Sequence, residues 1–301
     1  MVFKMTQLKG VFVAMVTPFI GGNISRDSIA RLMEYYKLKG LNGALVCGST
    51  GEAHLMRIEE IKETIKTAIE FSKSDFKIIA GVLRSDTGSA LEIAKFAEDH
   101  GASAVLALTP YYYGFSDEEI LEHYSKLRDK LGIPLLLYNA PRFTGRNVSP
   151  KLIVKMLSEG IIDGIKDTVW DFSHFAQILA ENGSIGRKDA SLFVGTTQIF
   201  LPSLIIGASG AILASANYLP ELCVKVYDCF LKGDLVGSRE HNKMLLKAST
   251  AIEKKLGIPG IKAAMDIRGL PVGAPREPFN PLNEDQYKYV RKVLETVGVK
   301  Y

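Results

Sequence analysis

The sequence is poor in the features that mark specialised classes of protein. Its 301 residues include three cysteines, one tryptophan and five histidines. The cysteines, Cys47, Cys223 and Cys229, are odd in number and form no Cys-x-x-Cys pair. That excludes a disulfide framework and the common zinc patterns, and suits reduced thiols in a cytoplasm. The histidines stand apart at positions 54, 100, 123, 174 and 241, with no His-Glu-x-x-His, so no metal site is expected. No block of five like charges occurs, and 37 Lys and Arg against 33 Asp and Glu leave a net charge of +4. Neither nucleic acid nor a membrane surface is therefore an expected partner. Long apolar runs are also missing. The stretch 11–20 contains Thr17 and Pro18, is too short to span a bilayer, and lacks the basic lead of a secretory signal.

What is present is an alternation. Hydrophobic residues make up 47% and charged residues 23%, an ordinary balance for a globular protein with a large core. Eight short runs rich in Val, Ile, Leu and Ala lie at 11–16, 43–47, 77–83, 104–108, 134–138, 161–166, 192–195 and 210–214. Most are apolar throughout, as strands buried on both faces are. Amphipathic stretches separate them. Residues 25–39 open on Ser25, 57–72 place Ile58, Ile61, Ile65 and Ile69 on one face, and Ser116-Asp-Glu-Glu119 is a capping box. Ser149-Pro150 pairs a cap with proline at the first helical position.

Eight βα units close into a barrel or spread into an open doubly wound sheet. The open sheet favours a glycine-rich phosphate turn after the first strand. Here that strand runs into Thr17-Pro18-Phe19, and neither Gly-x-Gly-x-x-Gly nor Gly-x₄-Gly-Lys-Ser/Thr occurs. The expected fold is an α/β (β/α)8 TIM barrel, residues 1–230, with a C-terminal helical extension, residues 231–301. Helices are expected there at 238–255, 260–268 and 284–296, with an irregular connector at 269–281.

In such a barrel the chemistry sits at the C-terminal ends of the strands. Lys166 ends the sixth run. Burial there disfavours the ammonium and leaves an amine able to attack a carbonyl; equally, the side chain could snorkel to the mouth and pair with Asp167 or Glu52. Tyr138 ends the fifth run, either as a core tyrosine with a satisfied hydroxyl or as a proton shuttle beside the amine. The 48–51 loop is a turn, or a cradle in which Ser49 and Thr50 hold a small carboxylate. Tyrosines 111–113 read as packing.

Taken in order, Gly48-Ser-Thr-Gly-Glu52, Thr109-Pro-Tyr-Tyr112, Tyr138-Asn-Ala-Pro141, Gly164-Ile-Lys166 and Gly207-Ala-Ser-Gly-Ala-Ile212 resemble the family of dihydrodipicolinate synthase and N-acetylneuraminate lyase. These are class I, Schiff-base aldolases that handle pyruvate, and the resemblance runs from Gly10 to Gly273. It implies that Lys166 forms the imine and Tyr138 is the general acid/base. It implies that Ser49 and Thr50 bind the keto-acid carboxylate, with Ser49 bridging to Tyr138 and to Tyr112, which in the family reaches in from a neighbouring subunit. It also implies that Gly195 and Ile212 line the pyruvate pocket and that Thr168 is a substrate hydroxyl partner. No metal or organic cofactor is implied, since the imine is the electron sink. A cytoplasmic homo-oligomer, tetramer or dimer, is expected.

Departures from the family bear on the second substrate. The synthases carry an arginine two residues after the proline of Tyr-Asn-x-Pro; here that place holds Phe143, with Arg142 one place early. The sialic-acid lyases carry acidic residues after the seventh strand, where this chain has Thr196-Thr-Gln198. Arg84 is either a surface cap or an anion clamp for a second substrate. The set looks most like archaeal 2-keto-3-deoxygluconate aldolases, so a 2-keto-3-deoxy sugar acid, made from or cleaved to pyruvate and a small aldehyde such as glyceraldehyde, is the expected substrate. The same-mechanism alternative is dihydrodipicolinate synthase, condensing pyruvate with aspartate semialdehyde. A rival of another class is a pyruvate-binding barrel without turnover.

Overall fold

Strands apolar on both sides need cover on both sides, and this chain supplies it by closing its sheet. The computed structural model describes residues 7–72, 75–185 and 187–299. The chain runs β1 (Gly10–Ala14), a small hairpin of β2 (Phe19–Ile20) and β3 (Asn23–Ile24), α1 (Arg26–Leu38), β4 (Gly43–Val46) and α2 (Ile58–Phe71). It continues through β5 (Lys77–Val82), α3 (Thr87–Asp99), β6 (Ala104–Leu108), α4 (Asp117–Arg128) and β7 (Leu135–Asn139). A one-turn α5 (Pro141–Thr144) precedes α6 (Pro150–Ser158), β8 (Gly164–Asp167), α7 (Phe172–Ile185), β9 (Ser191–Val194), α8 (Phe200–Ile205), β10 (Gly210–Leu213) and α9 (Pro220–Leu231). After these come α10 (Leu235–Ser249), α11 (Lys255–Ile267) and α12 (Glu284–Thr296).

The eight long strands form a closed parallel barrel in the order β1-β10-β9-β8-β7-β6-β5-β4. All eight runs read from the sequence are strands of it, with ends shifted by a few residues. The hairpin β2–β3 and the turn α5 have no counterpart in the sequence reading, being too short for a periodic pattern. Closure demands close approach at a few points. A Cβ on Gly164 would lie 2.2 Å from the Ser191 carbonyl oxygen, and one on Gly81 would lie 2.3 Å from that of Cys47. Only glycine fits there. Inside, Phe12 and Phe193 pack edge to face at 5.3 Å, filling the lumen as side chains do in a barrel of eight strands.

The C-terminal helices differ from expectation in one respect. A single helix over 238–255 is instead α10 from Leu235, followed by a wider π turn at Thr250–Lys254, which leads into α11. The 269–281 connector is irregular and touches β2 through a bridge from Gly273 to Phe19. This extension is held to the barrel by buried charge. The Lys262 ammonium, on α11, lies 2.7 Å from the Glu52 carboxylate, both side chains being almost fully covered. The Arg276 backbone N–H also donates to Glu52 at 2.7 Å, and the Arg276 guanidinium pairs with Glu60. Glu253, in the π turn, accepts from the Tyr218 hydroxyl at 2.9 Å.

Two outcomes follow for stability. Breaking a buried ion pair leaves the other charge without a counter-ion, at about 3–5 kcal/mol. Lys262→Met is therefore expected to lower the urea midpoint sharply, and adding Glu52→Gln to recover much of the loss; a wild-type midpoint for Lys262→Met would contradict the anchoring role. Burial raises the Glu253 carboxyl from 4.5 to about 7, partly opposed by its hydrogen bonds from Tyr218 and Ser249. The folded state then holds the proton more tightly than the unfolded one, so stability drains as pH rises from 4.5 through 7. Glu253→Gln should raise Tm at pH 8 by about 2–4 °C, the effect of roughly 1 kcal/mol, and bring no gain at pH 5. Equal Tm shifts at both pH values would show that this carboxyl does not titrate as stated.

Candidate active site

Side chains alternate across a strand, so each strand end sends one residue into the barrel and the next outward to the helices. On β8, Lys166 points in, and on β7 its register partner is Tyr138. The outward pair, one step further, is Asn139 and Asp167. Lys166 is only 4% exposed and its Nζ lies 4.5 Å from the centre of the Tyr138 ring. Burial pushes its ammonium below the ordinary lysine range, while Tyr138 works in the opposite sense. The snorkelling alternative fails, because both its partners are taken: Glu52 pairs with Lys262, and Asp167 with His174.

The loop after β4 brings the next two residues. Cys47 and Glu52 take positive φ, 54° and 59°, and turn the chain sharply between them. The Thr17 hydroxyl donates to the Gly51 carbonyl at 2.6 Å and pins the loop on the end of β1. Ser49 and Thr50 lie half-buried at the mouth, and the Ser49 hydroxyl is 3.4 Å from that of Tyr138. Gly195, just after β9, completes the wall. A Cβ there would stand 2.3 Å from the Thr168 hydroxyl and 2.9 Å from Lys166 Cε, so a bare backbone is what lets the lysine reach its place. The Thr168 Oγ1 is buried with no hydrogen-bond partner among the described residues. Ile212 is fully buried on β10.

Other expected residues lie apart. Tyr112, with φ of 80°, is 87% exposed and projects from the chain, and Tyr113 is 74% exposed. Of the tyrosine run only Tyr111 packs against the core, its hydroxyl 3.2 Å from His54 Nδ1; Tyr112 and Tyr113 instead meet each other edge to face at 5.1 Å. Arg142 is exposed and stacks over Phe143 at 5.9 Å, and Phe143 itself is 54% exposed. Arg84 donates to the Met56 carbonyl at 3.0 Å and lines a cavity with Arg57, Asp86, Ser89 and Tyr111. Thr197 is turned away, its hydroxyl 3.0 Å from that of Ser215, while Thr196 bonds to Gln198. Local sequence assigns no role to His174, and to Glu52 only a pairing with Lys166. Each meets its partner only through tertiary folding.

A buried amine kept neutral, and so able to attack a carbonyl, set beside a phenol and a hydroxyl, is the equipment of class I aldolases, and the chain is a carbon–carbon lyase of that kind. Residues 7–297 match the dihydrodipicolinate synthetase family. The 4-hydroxy-tetrahydrodipicolinate synthase of Campylobacter hominis is 32% identical over 98% of each chain. That of Acetivibrio thermocellus is 31% identical, covering 96% of this chain and 97% of its own. A crystal structure of chloride-inhibited dihydrodipicolinate synthase from Acinetobacter baumannii, complexed with pyruvate, superposes with a TM-score of 0.91 at 28% identity, over 97% of this chain and 99% of that one. The chain belongs to the dihydrodipicolinate synthetase family.

Gly195→Ala is the sharpest test of the geometry. Its methyl group would displace Thr168 and Lys166 by an ångström or so while leaving the barrel closed, and such a displacement costs about 10²-fold in turnover. The expected result is an unchanged circular dichroism spectrum with kcat down by about that factor. Turnover within threefold of wild type would mean that the amine is not held by this contact.

Proposed function

We propose that the chain is a pyruvate-dependent Schiff-base lyase in which Lys166 forms the imine. The observation that carries this is a lysine 4% exposed at the end of a barrel strand, with its Nζ over the Tyr138 ring. The neutral Nζ attacks the ketone carbon of pyruvate, water leaves, and the C=N bond draws electrons from the methyl carbon. Loss of a proton there gives an enamine, which attacks the aldehyde carbon and makes the new C–C bond; cleavage is the reverse. Tyr138, with Ser49 3.4 Å away, carries the protons. Ser49 and Thr50 hold the pyruvate carboxylate, Gly195 and Ile212 line the pocket, and the unpartnered Thr168 hydroxyl meets the second substrate.

For that second substrate, the names of the relatives support aspartate semialdehyde, and with it the 4-hydroxy-tetrahydrodipicolinate synthase reaction. The second reading, a 2-keto-3-deoxy sugar acid with glyceraldehyde as the aldehyde, has one specific observation behind it. Phe143 stands where a carboxylate would need a fork of donors, and a desolvated carboxylate is costly to leave unpaired. Under the first reading the charge comes from Arg142, beside Phe143, or from Arg84. A cytoplasmic homo-oligomer, with the exposed Tyr112 reaching a neighbouring subunit, accompanies either reading.

Borohydride added with pyruvate is expected to inactivate the protein and leave a reduced adduct on Lys166. An adduct on another lysine, or turnover that survives, would overturn the imine assignment. Tyr138→Phe should keep pyruvate binding and lower kcat by about 10²–10⁴, the usual share of general acid/base catalysis. The aldehyde is decided by kcat/KM for both compounds on wild type, Arg84→Ala and Arg142→Ala. A preference for aspartate semialdehyde of at least about tenfold, lost in one arginine variant, is expected from the synthase reading; the opposite preference, unmoved by either variant, establishes the sugar-acid reading.

A further inference from the structure

Behind the two inward residues lies a closed hydrogen-bond ring that the chemistry above does not use. Asn139 Nδ2 donates to Asp167 Oδ1 at 2.7 Å, and Asp167 Oδ2 lies 3.0 Å from His174 Nδ1. His174 Nε2 lies 2.9 Å from the Val148 carbonyl oxygen, and the Val148 N–H returns to Asn139 Oδ1 at 3.2 Å. Asp167, Asn139 and His174 are all buried. Each ring nitrogen of His174 thus faces an oxygen, one of a carboxylate and one of an amide carbonyl. A carbonyl cannot donate, and a carboxylate only accepts, so both contacts are hydrogen bonds at once when both nitrogens carry hydrogen and the ring is a cation.

We infer that His174 is a positioning residue of the lyase: as a doubly donating imidazolium on α7 it locks the ends of β7 and β8 together, and so holds Tyr138 opposite Lys166. The inference rests on the proposed roles of those two residues. Asn139 and Asp167 are one residue beyond Tyr138 and Lys166 and are themselves register partners, so a shift in the outward pair is a shift in the inward pair. The same strand end also sets Gly195, whose N–H donates to the Asp167 carbonyl at 2.6 Å. One cation therefore braces all three walls of the lysine site.

The charge that faces His174 has few sources. Asp167 comes from β8, and Asp171 acts on it from the β8–α7 loop; although burial works against the charged ring, the net effect is to raise its pKa above 6.5. On α6 the only basic residues, Lys151 and Lys155, are exposed, and α8 has no charged residue. Asn139, from β7, is neutral. The sign follows. The brace is complete below pH 6.5 and is lost as pH rises through the raised value, when one nitrogen turns a lone pair towards an oxygen.

The experiment compares wild type, His174→Phe and His174→Asn in the proposed reaction across pH, with borohydride trapping in parallel. Asparagine keeps one donor and cannot titrate; phenylalanine keeps the ring and loses both donors. The expected result is a kcat down at least about tenfold in His174→Phe, with KM for pyruvate within about threefold. In His174→Asn the loss is smaller, and the alkaline fall in kcat seen in wild type disappears. Histidine NMR of wild type should show a doubly protonated ring at position 174 above pH 6.5. The inference is overturned if His174→Phe keeps kcat within twofold, if His174→Asn retains the wild-type alkaline fall, or if the resonance shows a neutral ring at pH 6.5. Should His174→Phe fail to fold, the other two measurements decide. Absence of pyruvate trapping in wild type would instead remove the lysine reading itself, a result distinct from each of these.

Discussion

A lysine inside a filled barrel is the constraint from which the catalytic end of this molecule follows. Water stabilises an ammonium far better than a protein interior does, so covering Lys166 to 4% exposure favours its neutral form. That same desolvation makes the amine a nucleophile. Holding it there requires room beside the chain, which Gly195 provides, and a phenol ring over the nitrogen, which Tyr138 provides. The cost of burial is carried by the barrel, whose apolar strands and helices leave the side chain no other direction.

Alternation along the strands divides the labour. Inward residues hold the groups of the proposed chemistry, and outward residues join the strand ends. Asn139, Asp167 and His174 lie on the outer side of β7 and β8, sealed beneath α6 and α7, where low polarity strengthens every hydrogen bond they make. Such a ring is worth having only when complete, since one missing donor leaves a buried acceptor bare. The same logic governs Glu52. Its motif neighbours Ser49 and Thr50 face the mouth, while its own carboxylate is turned away to meet Lys262 and the Arg276 backbone. One short loop thus builds the site and fastens the C-terminal helices over it.

Family membership and substrate are separate questions in a fold of this kind. The barrel, the lysine and the tyrosine set the class of reaction. Under the proposed function the aldehyde is chosen at the rim, where Arg84, Arg142 and Phe143 come from different loops. Phe143 is the clearest case. It is 54% exposed on a one-turn helix, away from the barrel strands.

Much of this was legible in the chain. Eight apolar runs, spaced by amphipathic stretches with capping boxes at Ser116 and proline at 150, specify strands and helices through local physics alone, and their number with no phosphate-binding glycine turn specifies closure. The ends of the runs pointed to Lys166, Tyr138 and the 48–51 loop because strand ends are where a barrel opens. What the order of residues could not show is pairing. Whether Lys166 meets Asp167, Glu52 or nothing depends on distances between residues far apart in the chain, and it was decided by Lys262 and His174 arriving from helices after the respective strands. The π turn that buries Glu253, and the bare backbone of Gly195 beside a lysine 29 residues earlier, belong to the same class. Local sequence determines which elements form, because propensity and periodicity act within a few residues; tertiary structure alone decides which charge is neutralised by which, because that energy is set by distance and burial in the folded molecule.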